Sequence, residues 1–265
     1  MRKSRVGAYG IWQLRDYLMD RGLPMLFVLL MLGYITIAPM LSMVSRRMED
    51  MAARPAVVAR FGGVEAMRDK LLHESSRGIL TNFLGVVVYL GALLAFYGFI
   101  ATDRKQGFYR FLFAKPVNPL RYYGQAFVIH WVSYVLIVAG MLAAYGFFVV
   151  PVLRPQILGV CAAMFLMYAG ILFLLSASTV RADWLLLIFV TLLSSLLWDK
   201  YGESKSIFAK LLYAFPPLHR TSEIYTAAAA ATPVNRTLLG WFAGYGLACV
   251  IGALIVIRRR RIAVA

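Results

Sequence analysis

Six stretches of this chain contain no Asp, Glu, Lys or Arg: Met25 to Val44, Asn82 to Ala101, Ala126 to Val150, Ile157 to Val180, Trp184 to Trp198 and Thr237 to Ile257. A helix needs about 20 mostly apolar residues to cross the hydrocarbon core of a bilayer, and five of the six meet or approach that length. Trp184 to Trp198 is shorter, but tryptophans bracket it, and these favour the membrane interface. Lipid offers a backbone no hydrogen-bond partners, so such runs are helical; they are also too long and too uniformly apolar for barrel strands. The sequence therefore predicts an all-α polytopic membrane protein with six transmembrane helices, in one domain over residues 1–265. Composition agrees, since 61% of the 265 residues are hydrophobic, too many for a soluble globule.

Six spans put both termini on one side. If that side is the cytoplasm, slightly more than half of the 28 lysines and arginines lie in the shorter inside segments, and Arg258 to Arg261 directly follow the last span. This positive-inside bias predicts cytoplasmic termini; the membrane expected is a bacterial inner membrane. The first run follows a long charged leader and lacks a small-residue cleavage site, which predicts retention over removal as a signal peptide. The net charge of +16 sits beside the spans and on no single soluble face, so the expected partner is anionic lipid, and no nucleic-acid module is recognisable. Cys161 and Cys249 lie within apolar runs and read as packing residues.

Three segments outside the spans have patterns of their own. In "IWQLRDYLMDRGLP", Ile11, Leu14 and Leu18 align on one helical face with Trp12 and Tyr17 beside them, while Arg15, Asp16, Asp20 and Arg21 face away. This predicts a helix in the inner leaflet, ended by Gly22 and Pro24. In the segment 45–81, Val64, Met67, Leu71 and Leu72 recur at helical spacing, predicting an external helix against the bundle or the outer leaflet. In the segment 199–236, the apolar "SIFAKLLYAF" is broken by Pro216 and Pro217, and its length suits a re-entrant hairpin better than a span.

Signs of catalysis are few. Ion-coupled transporters keep ionisable groups at membrane depth, yet within these runs only His130 could titrate near neutrality, and a lone histidine there reads as a packing residue. No phosphate-binding loop of the form G-x-x-x-x-G-K-[ST] occurs. His73 and Glu74 begin a zinc-protease pattern, but Arg77 stands where its second histidine belongs. No acidic cluster suits a hard metal. The expectation is a chain without a catalytic site or cofactor of its own.

The most distinctive stretch is "DRKQGFYRFLFAKPVNPLRYYG", Asp103 to Gly124, between the second and third runs. Thr102 or Asp103 can cap a helix there, and Pro116 stops it, leaving about 16 Å of helix from Arg104 to Ala114. Phe108, Phe111 and Leu112 share one face, with Arg104, Lys105, Arg110 and Lys115 supplying charge. Two readings are open on these residues: a surface helix held by lipid headgroups, or a protruding helix whose aromatic knobs enter a partner's cleft.

This stretch resembles the loop between spans two and three of ABC-2 type transporter permeases, on Asp103-Arg104, Gly107, Leu112 and Pro116-Val117-Asn118. The resemblance extends to the connecting helix before span one, the six spans and the proline-broken helices before span six. It implies that Asp103, Arg104, Gly107, Phe108, Arg110, Phe111, Leu112 and Pro116 belong to a coupling helix docking onto an ABC ATP-binding subunit. That partner would carry ATP and Mg. Ile11, Trp12, Leu14 and Leu18 would form the connecting helix. The resemblance also implies a homodimer, or a heterodimer with a second permease, exporting an amphiphilic or hydrophobic cargo along a path for which Phe96, Tyr97 and Trp131 are candidate lining residues. Phe108 and Arg110 stand where the family commonly has Thr and an acidic residue, which implies an acidic cleft on the ATPase. The extended 45–81 segment leaves room for an external partner, and with it an alternative role as a membrane scaffold that recruits an ATPase to assemble another complex.

Overall fold

The computed structural model describes residues 4–105, 118–149, 151–178, 183–201, 215–216 and 218–259, which form helices and no strand. Among them six helical stretches are long and apolar enough to cross a membrane: Gly10–Ala52, Val64–Asp103, Pro119–Phe148, Pro155–Ser178, Asp183–Tyr201 and Arg236–Arg259. Each overlaps one of the six uncharged runs. The elements are α1 (Ser4–Tyr17), a π-helical turn (Leu18–Gly22), α2 (Leu23–Ala52), α3 (Pro55–Phe61), α4 (Val64–Phe96) and α5 (Ala101–Lys105). They are followed by α6 (Pro119–Phe148), α7 (Pro155–Ser178), α8 (Asp183–Tyr201), a 3₁₀ turn (Leu218–Arg220), α9 (Thr221–Ala229) and α10 (Arg236–Arg259).

The bundle is built around α7, whose residues Ile157, Cys161, Met164, Phe165, Leu172 and Phe173 are all buried. Helices α4, α6, α8, α9 and α10 pack on it. Lipid tails are as apolar as leucine, so burial alone does not drive helices together in a membrane; close fit does. The fit is tightest where α10 crosses α7. A Cβ at Gly246 would come within 2.5 Å of the Leu166 carbonyl oxygen and 2.8 Å of the Met167 Cα. Gly170 faces the backbone of Gly246 in the same way, so the two main chains touch with no side chain between them.

Two expected boundaries move. The N-terminal helix does not stop at Gly22 and Pro24, because the π turn carries it straight into α2. The Leu23 N–H reaches back five residues to the Leu18 carbonyl, and Pro24 then falls in the first turn of α2, so the proline is carried within a continuous helical path directly after the π turn. The 64–81 segment is likewise no separate helix lying on the bundle. It is the first half of the 33-residue α4, since no proline interrupts it and its apolar residues find a partner. Met67 and Leu71 pack with Met40 and Val44 of α2, with Met48, Met51 and Phe61 around them. The 45–81 region is thus a hairpin of two extended helices joined by α3.

Pro216 is buried, and its carbonyl accepts from the Ser194 hydroxyl at 3.2 Å and from the Leu218 N–H at 2.8 Å. The neighbouring Pro217 lies outside the described residues. Beyond it α9 tucks against α4 and α7, burying Ile224, Tyr225 and Ala228. Both cysteines are buried: Cys161 is 1% and Cys249 8% exposed. A water-soluble maleimide should therefore leave the folded protein essentially unlabelled and modify both thiols in denaturant, as intact-mass measurement would show.

Candidate functional site

The second spanning helix contains a run that looks continuous in sequence, yet α4 ends at Phe96 and the chain turns through Tyr97–Ile100 before α5 begins. Gly98 takes φ +61°, a left-handed conformation that glycine adopts without steric cost. A broken helix within a bundle is tolerable only if the protein satisfies the freed backbone groups, and here side chains from three other helices do so. The Gly98 N–H donates to the Asp183 carboxylate at 3.0 Å. The Ser176 hydroxyl oxygen accepts from both the Ile100 and Ala101 N–H groups, at 2.9 and 3.1 Å. On the carbonyl side, Arg21 in the π turn donates to Ala95 at 2.9 Å and to Tyr97 at 2.8 Å.

Beside this break lies a cavity of about 540 Å³, walled by the α1–α2 junction, the 99–103 segment and the start of α6. Its charged groups are Arg21, Asp16, Asp20 and Asp103. Two of these walls carry buried polar atoms without a hydrogen-bond partner: Gln13 Oε1 and the Tyr17 hydroxyl on α1, and His130 Nδ1 on α6. The His130 ring sits 4.2 Å from that of Tyr17 and 4.8 Å from that of Phe99, and Arg21 lies over Phe99 at 5.8 Å. Among the described residues no group of three His, Cys, Asp or Glu side chains could hold a metal ion.

Several sequence-predicted residues meet here. Asp103 does not cap a helix, because α5 starts before it, at Ala101. Its carboxylate instead accepts from the Tyr123 hydroxyl at 3.1 Å, tying α5 to α6. Arg104 follows in α5, whereas Gly107, Phe108, Arg110, Phe111, Leu112 and Pro116 lie outside the described residues. Ile11, Trp12, Leu14 and Leu18 are 40–70% exposed, so the apolar face of the N-terminal helix points away from the bundle. The face turned inward is that of Gln13 and Tyr17, buried at 6% and 3% exposure. Asn118 caps α6 through the Leu120 N–H at 3.0 Å, and Pro119 opens that helix.

The candidate path-lining residues separate. Phe96 is fully buried within an aromatic cluster of Phe99, Phe127, Phe165 and Phe173. Tyr97 is exposed, and Trp131 donates its indole N–H to the Ala162 carbonyl at 3.0 Å. Sequence reasoning missed Arg21, Ser176 and Asp183 as the clamp on the break. Only the charge of Asp183 and Arg21 at the edges of apolar runs could have drawn attention to them.

Mechanically the arrangement is a node. The end of α4 and the start of α5 are held by the π turn, α6, α7 and α8, so a displacement of α5 moves hydrogen-bond partners on four other elements. No model of a known protein family matches the chain, and no curated protein or solved structure is detectably similar to it.

Proposed function

We propose that the chain is the permease subunit of an ABC-2 type transporter, exporting an amphiphilic or hydrophobic cargo by ATP hydrolysis on a separate subunit. The observation that carries the reading is the placement of the motif. The segment that resembles a coupling helix begins at α5, which is tied through Asp103 to α6 and follows a break held by Arg21, Ser176 and Asp183. Force applied by an ATPase at 104–116 would enter the bundle at this node. The exposed Ile11, Trp12, Leu14 and Leu18 would form the second contact with the ATPase or the inner leaflet, joined without interruption to α2. Both termini would then be cytoplasmic and the 45–81 hairpin external. Two copies, or one copy and a homologue, would enclose the path, and nucleotide-driven closure of the ATPases would rotate the spans as rigid bodies.

The test is co-purification from native membranes. An ATP-binding subunit should accompany the tagged chain, and F111D/L112D should lose it while membrane insertion is unchanged. Undiminished ATPase in the F111D/L112D preparation would defeat the docking role. If no ATPase co-purifies and a third protein comes down through residues 45–81, the scaffold reading replaces the transporter.

A further inference from the structure

At the opposite end of the bundle, α2 and α6 both lean on α4 and leave a cleft of about 320 Å³ between them. Leu30 and Ile37 of α2 and Met141 and Phe148 of α6 form its walls, over a floor of Leu80 and Phe83 from α4. Leu30 and Phe148 are themselves exposed, at 48% and 79%, so the cleft opens outward from helices apolar enough to span a bilayer. On α2 it runs from Leu29 to Leu41, a rise of about 18 Å. One leaflet of a roughly 30 Å hydrocarbon core is about 15 Å deep. A cleft of that length with an almost wholly apolar lining suits an extended hydrocarbon chain.

One end of the cleft is polar and basic. Tyr145, a cleft residue, donates its hydroxyl to Ser76 Oγ at 2.9 Å. Immediately beyond, Ser76 and Leu80 line a small pocket with His73, Arg77 and Arg154. Arg77 and Arg154 come from different helical hairpins, both are exposed, and neither has a carboxylate within ion-pair distance among the described residues. Glu74, the adjacent acid, makes no such pair either. Two guanidinium groups above an elongated apolar cleft complement an anionic headgroup with an acyl chain.

We propose that this is a binding site for an anionic phospholipid of the surrounding bilayer, with one acyl chain along the α2–α6 cleft and the phosphate at Arg77 and Arg154. The site stands whether or not the chain is a permease, since it requires only that the six helices cross a membrane.

The full-length protein, purified in mild detergent and stripped of lipid, is titrated with phosphatidylglycerol or with phosphatidylcholine of the same acyl chains. Native mass spectrometry counts retained lipid, and melting temperature follows in parallel. Phosphatidylglycerol should be retained at least tenfold more tightly and raise the melting temperature more. R77Q/R154Q should abolish the difference, and Gly33→Phe, which fills the cleft where only Phe83 now approaches, at 3.8 Å, should weaken both lipids. Equal retention of the two lipids overturns the proposal, as does a preference that survives R77Q/R154Q. An equal thermal shift from inorganic phosphate alone marks an adventitious ion only and also overturns it. Cross-linking between copies through L30C in phosphatidylglycerol nanodiscs would assign the cleft to a second chain and overturn the lipid site as well.

Discussion

Gly246→Leu should cost the protein several kcal/mol of stability, while Gly244→Leu, two residues away, should cost little. At Gly246 even the first added carbon would press on the carbonyl and Cα of Leu166 and Met167, and these are main-chain atoms of the most enclosed helix in the bundle. A side chain can swing aside, but a helix backbone moves only as a unit. Overpacking a core typically costs about 1–3 kcal/mol. Here the whole α7–α10 seam must open, and van der Waals contact is what holds helices together in lipid. At roughly 2–4 °C per kcal/mol for a chain near this size, the melting temperature should fall by about 10 °C, with a matching loss of monodisperse protein on size-exclusion chromatography. Gly244 is exposed, with nothing within 4 Å of an added Cβ, so its leucine reports helix propensity alone. If the two variants melt together, the backbone contact is absent.

Removing the clamp on the broken helix should be the next largest effect. Ser176→Ala leaves the buried Ile100 and Ala101 N–H groups without acceptors, and Asp183→Ala does the same for Gly98. A buried donor left unpaired costs about 1–3 kcal/mol, although interhelical hydrogen bonds in membranes average closer to 0.6 kcal/mol because the opened state finds new partners. The expected result for the double variant is a loss of about 2–4 kcal/mol, concentrated at the turn. Hydrogen exchange of the peptide covering 97–101 should accelerate at least tenfold. Ser42→Ala, which removes only an exposed bond to the Pro39 carbonyl, should change neither stability nor exchange. Unaltered protection at 97–101 in the double variant would show that neither side chain holds the break.

The six spans were legible because uncharged runs of that length have one physical outcome in a membrane. The break at 97–100 was not, because Tyr-Gly-Phe-Ile is apolar throughout and a single glycine is a weak signal. Its acceptors lie 76 and 85 residues further along the chain, beyond the reach of any local pattern. The extensions of α2 and α4 past the bilayer region were hidden for a different reason. Glu, Asp and Arg at 46–50 and 65–69 mark exposed positions equally well on a loop or on a helix, and only the mutual packing of Met40, Val44, Met67 and Leu71 decides for helix. The same limit applied to α9, where "TSEIYTAAAA" has good helix formers but no amphipathic stripe long enough to announce burial. At the candidate site, Asp103 is legible as a member of a motif, but no local pattern pairs it with Tyr123, twenty residues on.

The π turn between α1 and α2 carries one more consequence, of phase. An α-helix turns about 100° per residue, and the turn from Leu18 to Gly22 holds one residue more than an α-helical path would need. The extra residue brings Gln13 and Tyr17 into line with Met25 and Leu29, so that all four are buried, an alignment that chain length alone sets. A change of one residue in the count between Tyr17 and Leu23 would keep the helix continuous and leave its composition nearly untouched. It would also turn Gln13 and Tyr17 off the wall they share with His130. At this junction the length of the chain specifies the cavity as strictly as the identity of its residues.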